Sequence, residues 1–152
     1  MDRAAADRAE AVARRAARLA VPDPPPNGPG APCSVSRSHT LGVGAAIVAP
    51  AGRRLGIDLV AIPRVDERHA RSVLQDREWA VLAFAGGVRP ALAWALKEAA
   101  AKASGDAMRW FPHGIVVGFA TEGLCVGIGG DGRPLRAGWR VFGDYLCAWI
   151  RD

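Results

Sequence analysis

Six prolines fall within eleven residues at positions 22–32 (PDPPPNGPGAP), a density that no helix or interior strand tolerates. The stretch reads as an extended linker, and it divides the 152-residue chain. Before it, residues 1–21 read as an alanine- and arginine-rich helix with a weak apolar stripe of Val12, Ala16 and Leu19. That segment has no apolar h-region, and its acids Asp2, Asp7 and Glu10 argue against a transit peptide. After the linker, residues 33–152 form the globular body. A body of that length is one domain, and the chain is long enough to hold a core without a disulfide or metal staple.

Apolar residues make up 50% of the chain and charged residues 23%, which suits a globular protein and not a disordered one. Its longest apolar runs fall far short of the roughly 18–20 residues that cross a bilayer, so no membrane association is expected. Cys33, Cys125 and Cys147 are odd in number and widely spaced, fitting neither a disulfide framework nor a zinc site. A reducing, cytoplasmic setting follows as the expectation. The net charge of +5 favours anionic partners. The arginines are dispersed and no aromatic-basic platform recurs, so nucleic acid is not the expected partner. Of the 20 basic residues only Lys97 and Lys102 are lysines, and they flank Glu98. So rare a choice, made twice within six residues, points either to a site or to composition alone.

Along the body, Gly42–Ala49 and Leu55–Ile62 are apolar runs separated by Pro50-Ala51-Gly52, which reads as a β-hairpin. Asp66–Ala83 reads as helix in two pieces. Pro90 suits the first position of a further helix that Ser104-Gly105 stops. GIVVGFA, GLCVGIG and DYLCAWI complete the chain as short strands with glycine turns. The order of hairpin, helices and antiparallel strands gives an α+β class, an antiparallel sheet packed on a long helix.

Several residues stand out against this frame. Asp58 sits inside a strand, on the face shared with Gly56 and Val60, where a carboxylate must be solvated, paired or bound to a cation. On the long helix, Trp94, Glu98 and Lys102 follow one another at 40° steps and form one stripe, flanked by Lys97. A carboxylate with two ammonium groups on one ridge suits a metal ion bridged to phosphate oxygens. Ser38-His39-Thr40, at a strand entrance, offers hydroxyls and an imidazole to a phosphate. Arg64, Arg68 and Arg71, at i, i+4 and i+7, share one helix face that suits either solvent or an acidic partner.

Gly56-Ile57-Asp58 within LGIDLVAIPRV, followed by WALKEAAAKA with Trp94, Lys97, Glu98 and Lys102, resembles the 4′-phosphopantetheinyl transferase superfamily. That superfamily carries a glycine–apolar–aspartate strand motif and, some forty residues on, a (W/F)xxKExxxK helix motif. Ser38-His39-Thr40 is similar to the Ser-His motif of the larger, surfactin-type members, and VLQDREWAVLAF with Glu78 resembles the superfamily's intervening segment with a glutamate. Val60, two residues past Asp58, stands where those members have an acid, as in the short holo-acyl-carrier-protein synthase type. The chain thus looks like a hybrid of roughly half the large enzyme's length. The resemblance implies transfer of 4′-phosphopantetheine from coenzyme A to a serine of an apo acyl or peptidyl carrier protein, with Mg²⁺. It implies Asp58 and Glu98 as metal ligands and Glu98 as the base, directly or through a water. By the same resemblance Lys102 and Lys97 hold the pyrophosphate, Ser38 and His39 contact coenzyme A, and Arg64, Arg68 and Arg71 receive the carrier. It also implies a homo-oligomer, with a trimer ahead of a dimer. The other reading is a non-catalytic transferase-like subunit or carrier-binding module in a biosynthetic assembly.

Overall fold

In the computed structural model, residues 33–105, 111–120, 123–129 and 134–152 are described. The expected helix 1–21 and linker 22–32 lie outside them. The described chain runs β1 (Cys33–Thr40), β2 (Val43–Pro50), β3 (Leu55–Ala61), a 3-10 turn Ile62–Arg64, α1 (Glu67–Arg71) and α2 (Asp76–Val81). A 3-10 run Leu82–Val88, α3 (Arg89–Ser104) and strands β4 (Ile115–Ala120), β5 (Gly123–Ile128), β6 (Leu135–Phe142) and β7 (Tyr145–Arg151) follow. The class is α+β, as the pattern of elements predicts.

The hairpin expected from 42–49 and 55–62 is not the one that forms. β2 pairs with β1, Thr40 opposite Val43, across a two-residue turn with positive φ at both Leu41 and Gly42. That backbone suits the right-handed twist of the flanking strands. β3 leaves for a second sheet of order β3-β7-β6-β5-β4, antiparallel throughout. The segment 66–83 does divide, into α1 capped by the Asp66 carboxylate at His69 N (2.7 Å) and α2 opened by a Gln75–Glu78 capping box. The helical run from Asp76 to Ser104 has the length and apolarity of a membrane span. It is broken at Gly86 (φ 54°, ψ −130°), and α3 lies in the core.

α3 packs across β3 and β7, with Leu92, Leu96 and Ala99 fully buried against Leu146, Ala148 and Ile150. The opposite face of β3 and β7 carries Ile57, Leu59 and Cys147, and β2 covers it with Val43, Ala45 and Ile47. β3 is buried along its whole length between these layers. Gly56 is where strand and helix come closest: a Cβ there would stand 1.9 Å from Ala99 O and 2.8 Å from Ala103 N. Both atoms are helix backbone and cannot turn aside. Gly56→Ala should therefore push α3 off β3 and cost at least about 3 kcal/mol in urea denaturation. A loss under about 1 kcal/mol would mean that the contact is slack.

Candidate functional site

Asp58 faces α3 from the middle of β3 and is 6% exposed. Its Oδ1 accepts from Lys102 Nζ (2.8 Å) and Ser38 Oγ (2.9 Å). Both hydrogen bonds fall on the same oxygen. Lys102 also donates to Ile57 O (3.0 Å), so it reaches from α3 to the outer edge of β3. Two serines of β1 occupy the same edge: Ser36 Oγ accepts from Ile57 N and Ser38 Oγ from Leu59 N, each at 3.0 Å. β1 therefore meets β3 through side chains that replace a main-chain ladder, which is why Ser36 and Ser38 are buried.

Ser38 is thus a positioning group for the carboxylate. Ser38→Ala should leave Leu59 N–H without its acceptor and free Asp58 to rotate, costing about 1–3 kcal/mol. Denaturation of that variant beside Ser38→Thr, which keeps the hydroxyl, checks it; equal losses in the two would point to packing instead.

Among residues 91–103 of α3, Trp94, Glu98 and Lys102 are the half-buried positions and all others are buried. Trp94 and Glu98 of that stripe line a cavity of about 250 Å³ whose walls also include Ser38, His39, Asp58 and Arg64; Lys102 reaches it only through its bond to Asp58. Thr40, Leu59, Val60, Ala61 and Val65 complete the lining. Desolvation raises the Glu98 pKa above the usual carboxylate value, and the Asp58 charge adds to this while Lys102 opposes it. Trp94 is held edge-on by His69 of α1, ring centroids 4.5 Å apart. The two carboxylates offer oxygen donors to one cavity, and their mutual repulsion is what a hard divalent cation would relieve. The residues present fit Mg²⁺.

Not every expected residue comes to this cavity. Lys97 is the main correction: it is completely buried, 2.7 Å from an equally buried Glu78. Its ammonium also donates to Pro112 O (3.1 Å) and Ile115 O, so its three N–H groups are spent inside the fold. Glu78 accepts from Val117 N and Gln75 N, both at 2.8 Å. Burial pulls the Lys97 pKa below the ordinary lysine value while the Glu78 carboxylate pushes it back. A side chain so placed touches no cofactor; it ties α3 to α2 and β4. The single helix face expected for Arg64, Arg68 and Arg71 does not form either, because Asp66 starts a new helix after Arg64. Arg71 is engaged by Glu67 (2.6 Å) and Asp76 (3.9 Å) and lies over the Trp79 ring. Arg68 is exposed on α1, and Arg64 is exposed beside the cavity.

Sequence reasoning passed over Ser36 and gave Trp94 no role. The alternation of Ser34, Ser36 and Ser38 was a usable signal, since alternate positions share one strand face. No curated protein matches the chain. The family model described as ACPS, 4′-phosphopantetheinyl transferase superfamily, matches residues 54–124, from just before β3 into β5. Ser38 and His39 lie ahead of that match; Asp58, Glu98 and Lys102 lie within it, so the segment that builds the two-carboxylate wall is similar to the 4′-phosphopantetheinyl transferase superfamily.

Proposed function

We propose that the chain transfers the 4′-phosphopantetheine group of coenzyme A to a serine hydroxyl of an apo carrier protein, in a reducing cytoplasmic setting. The observation that carries this reading is the meeting of Asp58 and Glu98, from a strand and a helix, in one cavity with Ser38, His39 and Arg64. Mg²⁺ held by Asp58 and Glu98 would supply charge neutralisation for the pyrophosphate. The carrier serine Oγ bonds to the β-phosphorus, the bond from that phosphorus to the bridging oxygen breaks, and 3′,5′-ADP leaves. The hydroxyl proton passes to Glu98, whose raised pKa makes it the better base of the two, directly or across one water. Lys102 fixes Asp58 and keeps one N–H for a phosphate oxygen. His39 and Arg64 serve the remaining phosphate charge, and exposed Arg68 meets the acidic surface of the carrier.

Incubation with coenzyme A, Mg²⁺ and a panel of apo carrier proteins tests this by intact mass. One carrier should gain the mass of phosphopantetheine, and the gain should vanish without Mg²⁺. Binding of a carrier with no mass gain on any member of the panel favours the second reading, a non-catalytic module. Val60, an apolar residue where the larger relatives carry an acid, is the observation behind that alternative.

The cavity supports a further part of the reading. At about 250 Å³ it is below the roughly 300–1,000 Å³ of sites that enclose a small molecule. A second copy of the chain completes it, as a trimer or a dimer. Light scattering at micromolar concentration should therefore show an oligomer, and a fully active monomer would overturn this.

A further inference from the structure

Two large apolar side chains are held out of the core at the end of β3 that borders the Asp58 cavity. Leu41, in the β1–β2 turn, is 51% exposed, and Phe142, at the end of β6, is 42% exposed. Thr40, the residue before Leu41, lines the cavity together with Ala61. Ala61 is opposite Tyr145, and the Phe142 ring stacks on that tyrosine with centroids 6.1 Å apart. Ile62 N donates to Asp144 O (2.8 Å), which fixes the β6–β7 turn beside the end of β3. Val43 and Tyr145 pack on the same apolar cluster, so the two turns lie on one side of β3. A Cβ added at Gly42 or Gly143 would meet nothing within 4 Å, and both turns are open to solvent.

Among the described residues, glycines apart, Leu41 alone has a positive φ (47°). That turn position favours glycine or asparagine, and leucine has neither glycine's missing Cβ nor asparagine's local hydrogen bonds. The leucine therefore strains the backbone and gains no burial in return. Strain of this kind collects at binding sites. Exposed Arg64 stands in the wall of the same cavity and exposed Arg68 on α1, and neither forms an ion pair with a described residue. A partner that brings a serine into the cavity must cover this end of it, and an acidic partner is matched to those arginines. We infer that Leu41 and Phe142 form an apolar docking lip for the carrier protein, which takes both side chains out of water as its serine enters. The partner's identity rests on the proposed transfer to a carrier serine.

Leu41→Asn separates docking from folding. Asparagine suits the turn, so Tm should rise by about 2–4 °C. The Kd for the tightest-binding member of a panel of apo carrier proteins should rise at least about tenfold. Phe142→Ser should weaken carrier binding in the same way, and the Kd for coenzyme A should not change in either variant. The loss should persist in high salt, where the arginines' contribution is screened. Phe119→Ser, which removes an aromatic side chain of 58% exposure from β4, should leave carrier binding as it was. An unchanged carrier Kd in Leu41→Asn, an equal loss in Phe119→Ser, or no carrier bound by the wild type would each overturn the lip. A fall in Tm would show that the leucine serves the fold, and a lower mass of Leu41→Asn in light scattering would make the turn a contact between copies; either result also overturns it. Intact mass after coenzyme A and Mg²⁺ are added judges the transfer separately: binding without a mass gain removes the chemistry and leaves the docking lip in place.

Discussion

Lys97→Met should cost about 3–5 kcal/mol of stability, the largest loss expected of any charge removal in the described structure. The ammonium it deletes serves three acceptors, one of them the Glu78 carboxylate, and both side chains are at 0% exposure. Methionine fills most of the volume, so the penalty comes from electrostatics more than from a cavity. Glu78 would be left as a buried anion with only Val117 N and Gln75 N to hold it. Adding Glu78→Gln should recover part of the loss, because the neutral amide keeps an acceptor for one of those donors and removes the stranded charge. Urea denaturation of the two singles and the double measures the coupling. A Lys97→Met loss under about 1 kcal/mol would show that the pair contributes little.

The second large effect is on activity. Glu98→Gln should reduce transfer at least about hundredfold in kcat at saturating Mg²⁺ while leaving Tm unchanged or slightly higher. The two responses have one cause. Desolvation and the Asp58 charge both work against ionised Glu98 in the folded chain, so a neutral isostere relieves strain as it removes the proposed base and metal ligand. Asp58→Asn should match the activity loss but lower stability, because Lys102 and Ser38 both bond that carboxylate. Normal turnover in Glu98→Gln would remove the glutamate from the chemistry; a large fall in Tm would make it a structural residue.

The parts legible in the sequence were those with a clean period. Trp94, Glu98 and Lys102 recur at four-residue steps, and the chain folds them into one half-buried stripe. Asp58 was readable on the Gly56–Val60 face, the face that meets α3. Lys97 misled because helical periodicity predicts a wet flank for it, whereas α2 and β4 cover that flank, a tertiary fact. β1 escaped notice because its buried side chains are serines, which invert the apolar alternation by which a strand is recognised. With β1 unseen, two neighbouring apolar runs around Pro50-Ala51-Gly52 looked like partners. β6 was hidden in the same way, its Arg136, Gly138 and Arg140 breaking any apolar run. The Arg64–Arg71 stripe failed because Arg64 ends a separate 3-10 turn and Asp66 caps a new helix after it, so the three arginines share no helical period.

The serine-lined edge of β3 bears on how this chain can be shortened. A fragment trimmed to residues 54–124 would keep both carboxylates and look sufficient on paper. It would lack Ser36 and Ser38, leaving Ile57 N–H and Leu59 N–H open, with the β2 cover gone from the face beneath them. It would also lack β7, the strand that joins β3 to the rest of its sheet. What remains is a bare, apolar strand with both hydrogen-bonding rims vacant, the kind of template on which chains stack into aggregates. Expression boundaries for this protein therefore belong outside the β1–β2 hairpin on one side and beyond β7 on the other.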